Sequence, residues 1–173
     1  MQDILKRAAG IKLVIFDVDG VLTDGSLFLG DDGQEYKAFH SRDGLGMKML
    51  QATGVEIGII TARSSHVVSA RMESLGIKYV YQGNLKKIAA FEDLKQKLML
   101  QNAQIAFVGD DLVDLPIMRQ VGLAVCVKDG HRFVKQHAHW ETPSPGGRGA
   151  AREVCELVME AQGTLQSALE SYF

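Results

Sequence analysis

Lys12-Leu-Val-Ile-Phe-Asp17-Val-Asp19-Gly20-Val-Leu-Thr-Asp24-Gly25 is the stretch from which the fold can be read. Leu13 to Phe16 are apolar without alternation, the pattern of a strand covered on both faces of a parallel sheet. Two carboxylates, one residue apart, follow at once. In open α/β sheets the carboxyl end of a strand is where ligands bind, so the same stretch predicts both a fold class and the place of its site.

Three further runs have this character: EIGII at 56–60, IAFVG at 105–109 and LAVCV at 123–127. Helical spacing lies between them, in Val67, Val68, Met72 and Leu75 ahead of Gly76, then in Ile88, Phe91, Leu94 and Leu98. Strand and helix in repeated alternation predict a doubly wound parallel α/β sheet with right-handed crossovers. A last helix is expected over about 150–161, where Val154, Leu157, Val158 and Ala161 share a face. Residues 26–40 break the alternation and read as two short strands about the turn Gly30-Asp31-Asp32-Gly33, a β-hairpin inserted after the first acidic loop. Residues 141–150, with two prolines and three closely spaced glycines, read as a loop.

The chain has 173 residues, which fits one domain, 1–173, carrying the hairpin at about 26–40. Its 46% hydrophobic and 23% charged residues are those of a folded globular protein. Lys and Arg number 19 against 21 Asp and Glu, a formal charge of −2, so no general positive field recruits nucleic acid and an anion needs a local site. No segment has the apolar length of a membrane span. The residues before Asp17 lack the unbroken apolar core and small-residue cleavage site of a secretory signal. Cys126 and Cys155 belong to no C-x-x-C pair, which argues against zinc and a disulfide framework. Buried thiols in a reducing cytoplasm are expected.

Asp17 and Asp19 alone could be turn caps or the start of a calcium loop, but Phe28 stands at the twelfth position, where such a loop needs a bidentate Glu. The strand 105–109 is followed by Asp110, Asp111 and Asp114, again at a carboxyl end. Carboxylates gathered from two strand ends repel unless a cation joins them, and Mg²⁺ suits oxygen ligands while leaving positions for water and phosphate. Thr61 follows the strand 56–60, and Ser64 and Ser65 open the next helix, a turn able to hold a phosphate oxygen. A Thr at that place is also an ordinary cap. Lys86 and Lys87 begin a helix, where the dipole disfavours cations, so a Lys there is either solvated or paired with acids and a substrate anion.

The order D-x-D, Thr, Lys and G-D-D-x-x-D over residues 12–114 resembles the four-part signature of the haloacid dehalogenase superfamily. That resemblance implies a magnesium-dependent phosphohydrolase that works through an aspartyl-phosphate. It makes Asp17 the nucleophile, Asp19 the general acid and base, Thr61 the hydroxyl of the second motif and Lys87 the phosphate-binding lysine. Asp17, Asp110 and the backbone carbonyl of Asp19 become the metal ligands, supported by Asp111 and Asp114. Asp19 would then need a raised pKa, for which the neighbouring acids offer a like-charge cause.

Between Asp17 and Thr61 there is room only for the hairpin and one helix, and between Thr61 and Lys87 only for a helix and a short strand, so no cap domain is expected. VDGVLTDG, FHSRDGLGMKML, TARSS, GDDLVDLP and PGGRGAAREV, at 18–25, 39–50, 61–65, 109–116 and 145–154, are similar to the capless octulosonate-phosphate branch of the superfamily. This implies a small acidic sugar phosphate as substrate, a role in lipopolysaccharide biosynthesis, and a homotetramer whose active sites are completed by neighbouring subunits. Thr61-Ala62-Arg63 departs from the commoner Ser-Gly-Arg, and Asn84 stands where relatives carry another polar or basic residue. Arg63, Arg71 and Arg148 are the expected substrate-binding cations, because a guanidinium pairs bidentately with a carboxylate. The loop around Arg148 is expected to cover a neighbour's active site. Two alternatives remain at this point: a phosphatase for a nonulosonate or other sugar phosphate, and a receiver-like phosphorylated signalling module.

Overall fold

A computed structural model describes residues 1–173. Strand β1, Leu13–Phe16, lies at the centre of a six-stranded sheet. It pairs in parallel with β4, Glu56–Ile60, on one side and β6, Ile105–Gly109, on the other. β5, Tyr79–Tyr81, extends the sheet beyond β4, while β7, Leu123–Cys126, and β8, Trp140–Glu141, extend it beyond β6, giving the order β5-β4-β1-β6-β7-β8 with every pairing parallel. The unalternating runs are explained by the two faces of β1. Val14 and Phe16 enter one apolar core while Leu13 and Ile15 enter the other, and all four are fully buried.

The larger core lies under α1, Gln2–Ala9, α2, Ser41–Ala52, α3, His66–Ser74, and α7, Ala150–Ala161; the smaller lies under α4, Lys87–Lys97, α5, Leu115–Met118, and α6, Arg132–Lys135. The helix expected over 150–161 is found at those residues, but it is not the last, since α8, Leu165–Glu170, follows. Cys126 and Cys155 are buried free thiols in opposite cores.

The hairpin is shorter than residues 26–40. It consists of β2, Phe28–Leu29, and β3, Glu35–Tyr36, antiparallel, with Gly30 N–H donating to Gln34 O at 2.8 Å. Leu27, Phe28, Leu29 and Tyr36 are about half or more exposed on it. Only this hairpin and α2 lie between β1 and β4, and only α3 and β5 between β4 and α4. No cap covers the carboxyl ends of the strands. No helix is long and apolar enough to cross a membrane.

Candidate active site

The end of β1 delivers Asp17 into the sheet's carboxyl edge, 6% exposed, where its Oδ1 accepts the Val18 N–H at 2.7 Å. Its Oδ2 lies 2.7 Å from Lys87 Nζ. Lys87 comes from the first turn of α4, and its Nζ also donates to Asp114 Oδ1 at 2.7 Å. This resolves the choice between a solvated and a paired lysine: Lys87 is 3% exposed and paired twice, while Lys86 beside it is exposed. Burial works to lower the Lys87 pKa, yet the carboxylates of Asp114 and Asp17 outweigh it and the net shift is upward, so the ammonium is retained.

The adjacent end of β6 supplies Asp110, and a close approach makes this possible. Gly20 sits at φ +88°, and a Cβ there would lie 2.2 Å from Asp110 Oδ2. The glycine of the D-x-D-G stretch therefore lets the β1 loop and the β6 loop meet. Carboxylate oxygens of Asp17, Asp110 and Asp114 lie within 4.8 Å of one another. Burial and then the charge of Asp114 push Asp17 up to about 6. Burial and then the charges of Asp114, Asp17 and Asp111 push Asp110 up to about 8. Asp110 Oδ1 is buried without any hydrogen-bond partner. A buried, unpartnered oxygen among crowded carboxylates is the donor set of a hard divalent cation, so these residues fit Mg²⁺.

Asp114 is at the cluster without being free to ligate. Its Oδ1 is taken by Lys87, and its Oδ2 accepts the N–H groups of Asp110 at 3.0 Å and Asp111 at 3.3 Å. It props both the lysine and the β6 loop. Asp111 is exposed and caps the turn after β6, accepting the Leu112 N–H at 2.8 Å.

Asp19 lies two residues beyond Asp17 on the β1 loop. Its carboxylate stands apart from the acid cluster and pairs with the Lys37 ammonium, with Arg63 Nε at 3.7 Å. The motif reading missed Lys37 and Glu35. Lys37 is 18 positions beyond Asp19 in a segment readable only as a hairpin, and the alternation of Glu35 and Lys37 about Tyr36 was the available signal.

Thr61 follows β4 and is 3% exposed, with its N–H on Tyr81 O at 2.9 Å and its carbonyl accepting from Asn84 N at 3.2 Å. Asn84 Nδ2 donates to Gln82 O, so this departure from the family pattern closes a local turn. Arg63 is half-exposed beside Asp19 and also pairs with Glu35 at 2.9 Å. Arg71 is not brought to the acids. It lies over the Phe39 ring at 6.0 Å and against Gly44, where an added Cβ would come within 2.2 Å of its Nη2. The side chain expected to contact substrate thus packs between α2 and α3, over Phe39, in this chain.

Arg148 is exposed and pairs with Asp24 at 3.1 Å. The loop that carries it seats on its own chain: Gly147 N–H donates to Val21 O at 2.8 Å, and Gly149 N–H to Asp43 Oδ2 at 3.2 Å. A Cβ on Gly146 would lie 1.7 Å from Gly20 O. The loop expected to cover a neighbour's site thus rests, within its own chain, on the β1 loop and α2. Its glycines permit backbone contact with the β1 loop of the same chain.

Residues 77–154 match the sequence profile of haloacid dehalogenase-like hydrolases. The chain is 45% identical over 167 residues to the 3-deoxy-D-manno-octulosonate 8-phosphate phosphatase of Yersinia pestis, covering 96% of this chain and 89% of that one. It is 46% identical over 166 residues to the Escherichia coli K12 phosphatase of the same name, covering 96% and 88%. Among solved structures it superposes on the Moraxella catarrhalis 3-deoxy-D-manno-octulosonate 8-phosphate phosphatase, crystallised with magnesium, phosphate and the octulosonate, with a TM-score of 0.98 at 38% identity over 100% and 99% of the two chains, and on the Yersinia pestis enzyme with a TM-score of 0.94 at 45% identity over 95% and 89%.

Proposed function

The chain belongs to the 3-deoxy-D-manno-octulosonate 8-phosphate phosphatases, a capless family of haloacid dehalogenase-like hydrolases, and from this we propose how its residues divide the hydrolysis of that ester. The observation that carries the proposal is the placing of Asp17. It is buried at the end of β1, 2.7 Å from the Lys87 ammonium and beside the unpartnered oxygen of Asp110.

Asp17 attacks phosphorus, the bond from phosphorus to the sugar oxygen breaks, and Asp19 donates the proton that this oxygen takes up. The phosphoryl group is then held on Asp17 as an acyl phosphate. A water molecule, deprotonated by Asp19, attacks phosphorus, and Asp17 leaves as a carboxylate with inorganic phosphate released. Lys87 offsets the negative charge of nucleophile and phosphoryl oxygens together, and Thr61 supplies a hydroxyl and backbone N–H groups at the β4 end. Asp17, Asp110 and the Asp19 carbonyl hold Mg²⁺, which when bound supplies positive charge against the phosphoryl oxygens. Asp114 and Asp111 hold the lysine and the β6 loop in place.

A cleft of about 540 Å³ opens between the hairpin and the start of α3, bordered by Gln34, Glu35, Arg63, Ser64, Ser65 and His66. We place the sugar there, with its carboxylate on Arg63, and assign Arg148 to the rim. Arg63 favours the octulosonate over a nonulosonate or neutral sugar phosphate, and relatives that are phosphatases over nearly the full chain disfavour a receiver-like module. The apolar hairpin supports a homotetramer, and the buried free thiols support a reducing, cytoplasmic setting for a step of lipopolysaccharide biosynthesis.

A phosphate-release screen with Mg²⁺ over sugar phosphates with and without a carboxylate tests the assignment. One charge-assisted pair contributes on the order of 2 kcal/mol, so kcat/KM for octulosonate 8-phosphate is expected to exceed that for neutral sugar phosphates at least about tenfold. Equal values across the two groups would remove the carboxylate from recognition.

A further inference from the structure

The side chains around Asp19 form a closed ring of alternating charge. Lys37 Nζ pairs with Asp19 and, at 3.2 Å, with Glu35; Arg63 pairs with Glu35 at 2.9 Å and reaches Asp19 at 3.7 Å. The four are not equally free. The Lys37 side chain is only 1% exposed, Glu35 and Asp19 are 15% and 21% exposed, and Arg63 is 46% exposed. Strand alternation explains the geometry. Glu35 and Lys37 flank Tyr36, so both turn inward toward Asp19, while Tyr36 turns outward with its cross-strand partner Phe28.

A buried ammonium with two carboxylate partners is fixed, because moving away from either would leave a desolvated charge unpaired. The ion pairs of Lys37 are with Asp19 and Glu35, while Asp17 and Asp114 pair with Lys87, so Lys37 has no part in holding the phosphoryl end. We propose that Lys37, itself oriented by Glu35, is the positioning residue that holds the Asp19 carboxylate in one place for proton transfer, which makes the hairpin part of the catalytic apparatus. Arg63, the exposed corner, can turn to a substrate carboxylate while Lys37 keeps Asp19 anchored. The inference rests on Asp19 being the general acid and base.

The leaving group separates this role from general support. A sugar alkoxide needs the Asp19 proton, whereas p-nitrophenolate departs without one. In Lys37→Met, kcat for the sugar phosphate is expected to fall roughly ten- to hundredfold with KM within about threefold. First-turnover release of p-nitrophenol from p-nitrophenyl phosphate should stay within about threefold of the parent. Lys37→Arg should recover part of the loss, and Glu35→Gln should give a smaller loss with the same split. Asp19→Asn is run beside them. If Asp19→Asn leaves sugar-phosphate turnover unchanged, the role of Asp19 itself fails. If Asp19→Asn is slow but Lys37→Met and Glu35→Gln turn over like the parent, or slow both substrates equally, the positioning role of the hairpin is overturned. Thermal melting checks the fold, and should Lys37→Met not fold, the substrate split in Glu35→Gln decides alone.

Discussion

Three acids crowd the phosphoryl end of the site, and their protons link metal, pH and stability. Burial and mutual repulsion raise Asp17 from 3.8 to about 6 and Asp110 from 3.8 to about 8. The metal-free folded chain therefore holds protons that the unfolded chain has already released. Stability from these groups is full below about pH 4 and is lost as pH rises through about 6 and then about 8. Mg²⁺ replaces the protons on Asp110 and Asp17, so it should raise the melting temperature more at about pH 8 than at about pH 5.5. Asp110→Asn should weaken both the pH dependence of the metal-free protein and the gain from Mg²⁺. A melting temperature that is flat with pH in the metal-free parent, or a Mg²⁺ gain equal at both pH values, would contradict the assignment of these shifts.

At the scale of elements, the loop 145–149 acts as a backbone prop. Asp43 on α2, 2% exposed, accepts the N–H groups of Gly149 and of Arg152 at 2.9 Å, capping α7 from outside and holding the loop against the β1 turn. Gly146→Ala must push Gly20 O away, so kcat is expected to fall at least about tenfold together with the melting temperature. Arg148→Ala removes an exposed pair of little energetic weight and should raise KM for the acidic sugar while leaving kcat and melting nearly unchanged. Parent-like kcat in Gly146→Ala would show that the prop is dispensable. Much of this arrangement was legible in the sequence, because unalternating apolar runs ending in Asp17, Thr61 and Asp110 fix β1, β4 and β6 and what they carry. The glycines at 146, 147 and 149 marked a loop with shape requirements, but not which backbone they touch. Two-residue β8 and the mostly exposed α8 have too little burial to pattern a sequence, whereas α1 carries an apolar face, Ile4, Leu5 and Ala8, that the reading of strands and later helices passed over. Glu35 and Lys37 lie outside every motif, and only the folding back of the hairpin gives them a partner.

Across the whole molecule, one sheet edge collects Asp17 from β1, Thr61 from β4 and Asp110 from β6, proposed as nucleophile, hydroxyl and metal ligand, while the smaller core carries α4 and Lys87 up to them. The hairpin stands over the other side of Asp19 with an apolar outer face. With no cap domain, selectivity falls to this hairpin, the start of α3 and the surfaces that the exposed apolar residues recruit. All of this depends on covalent chemistry at residue 17. The direct test is to quench the first turnover of octulosonate 8-phosphate within milliseconds, reduce with borohydride, and sequence the peptides by mass spectrometry. An acyl phosphate on Asp17 is reduced to homoserine, so homoserine at position 17 is expected, dependent on substrate and Mg²⁺ and absent in Asp17→Asn. Phosphate released in that first turnover with residue 17 still aspartate, or with homoserine at another acid, would contradict the account.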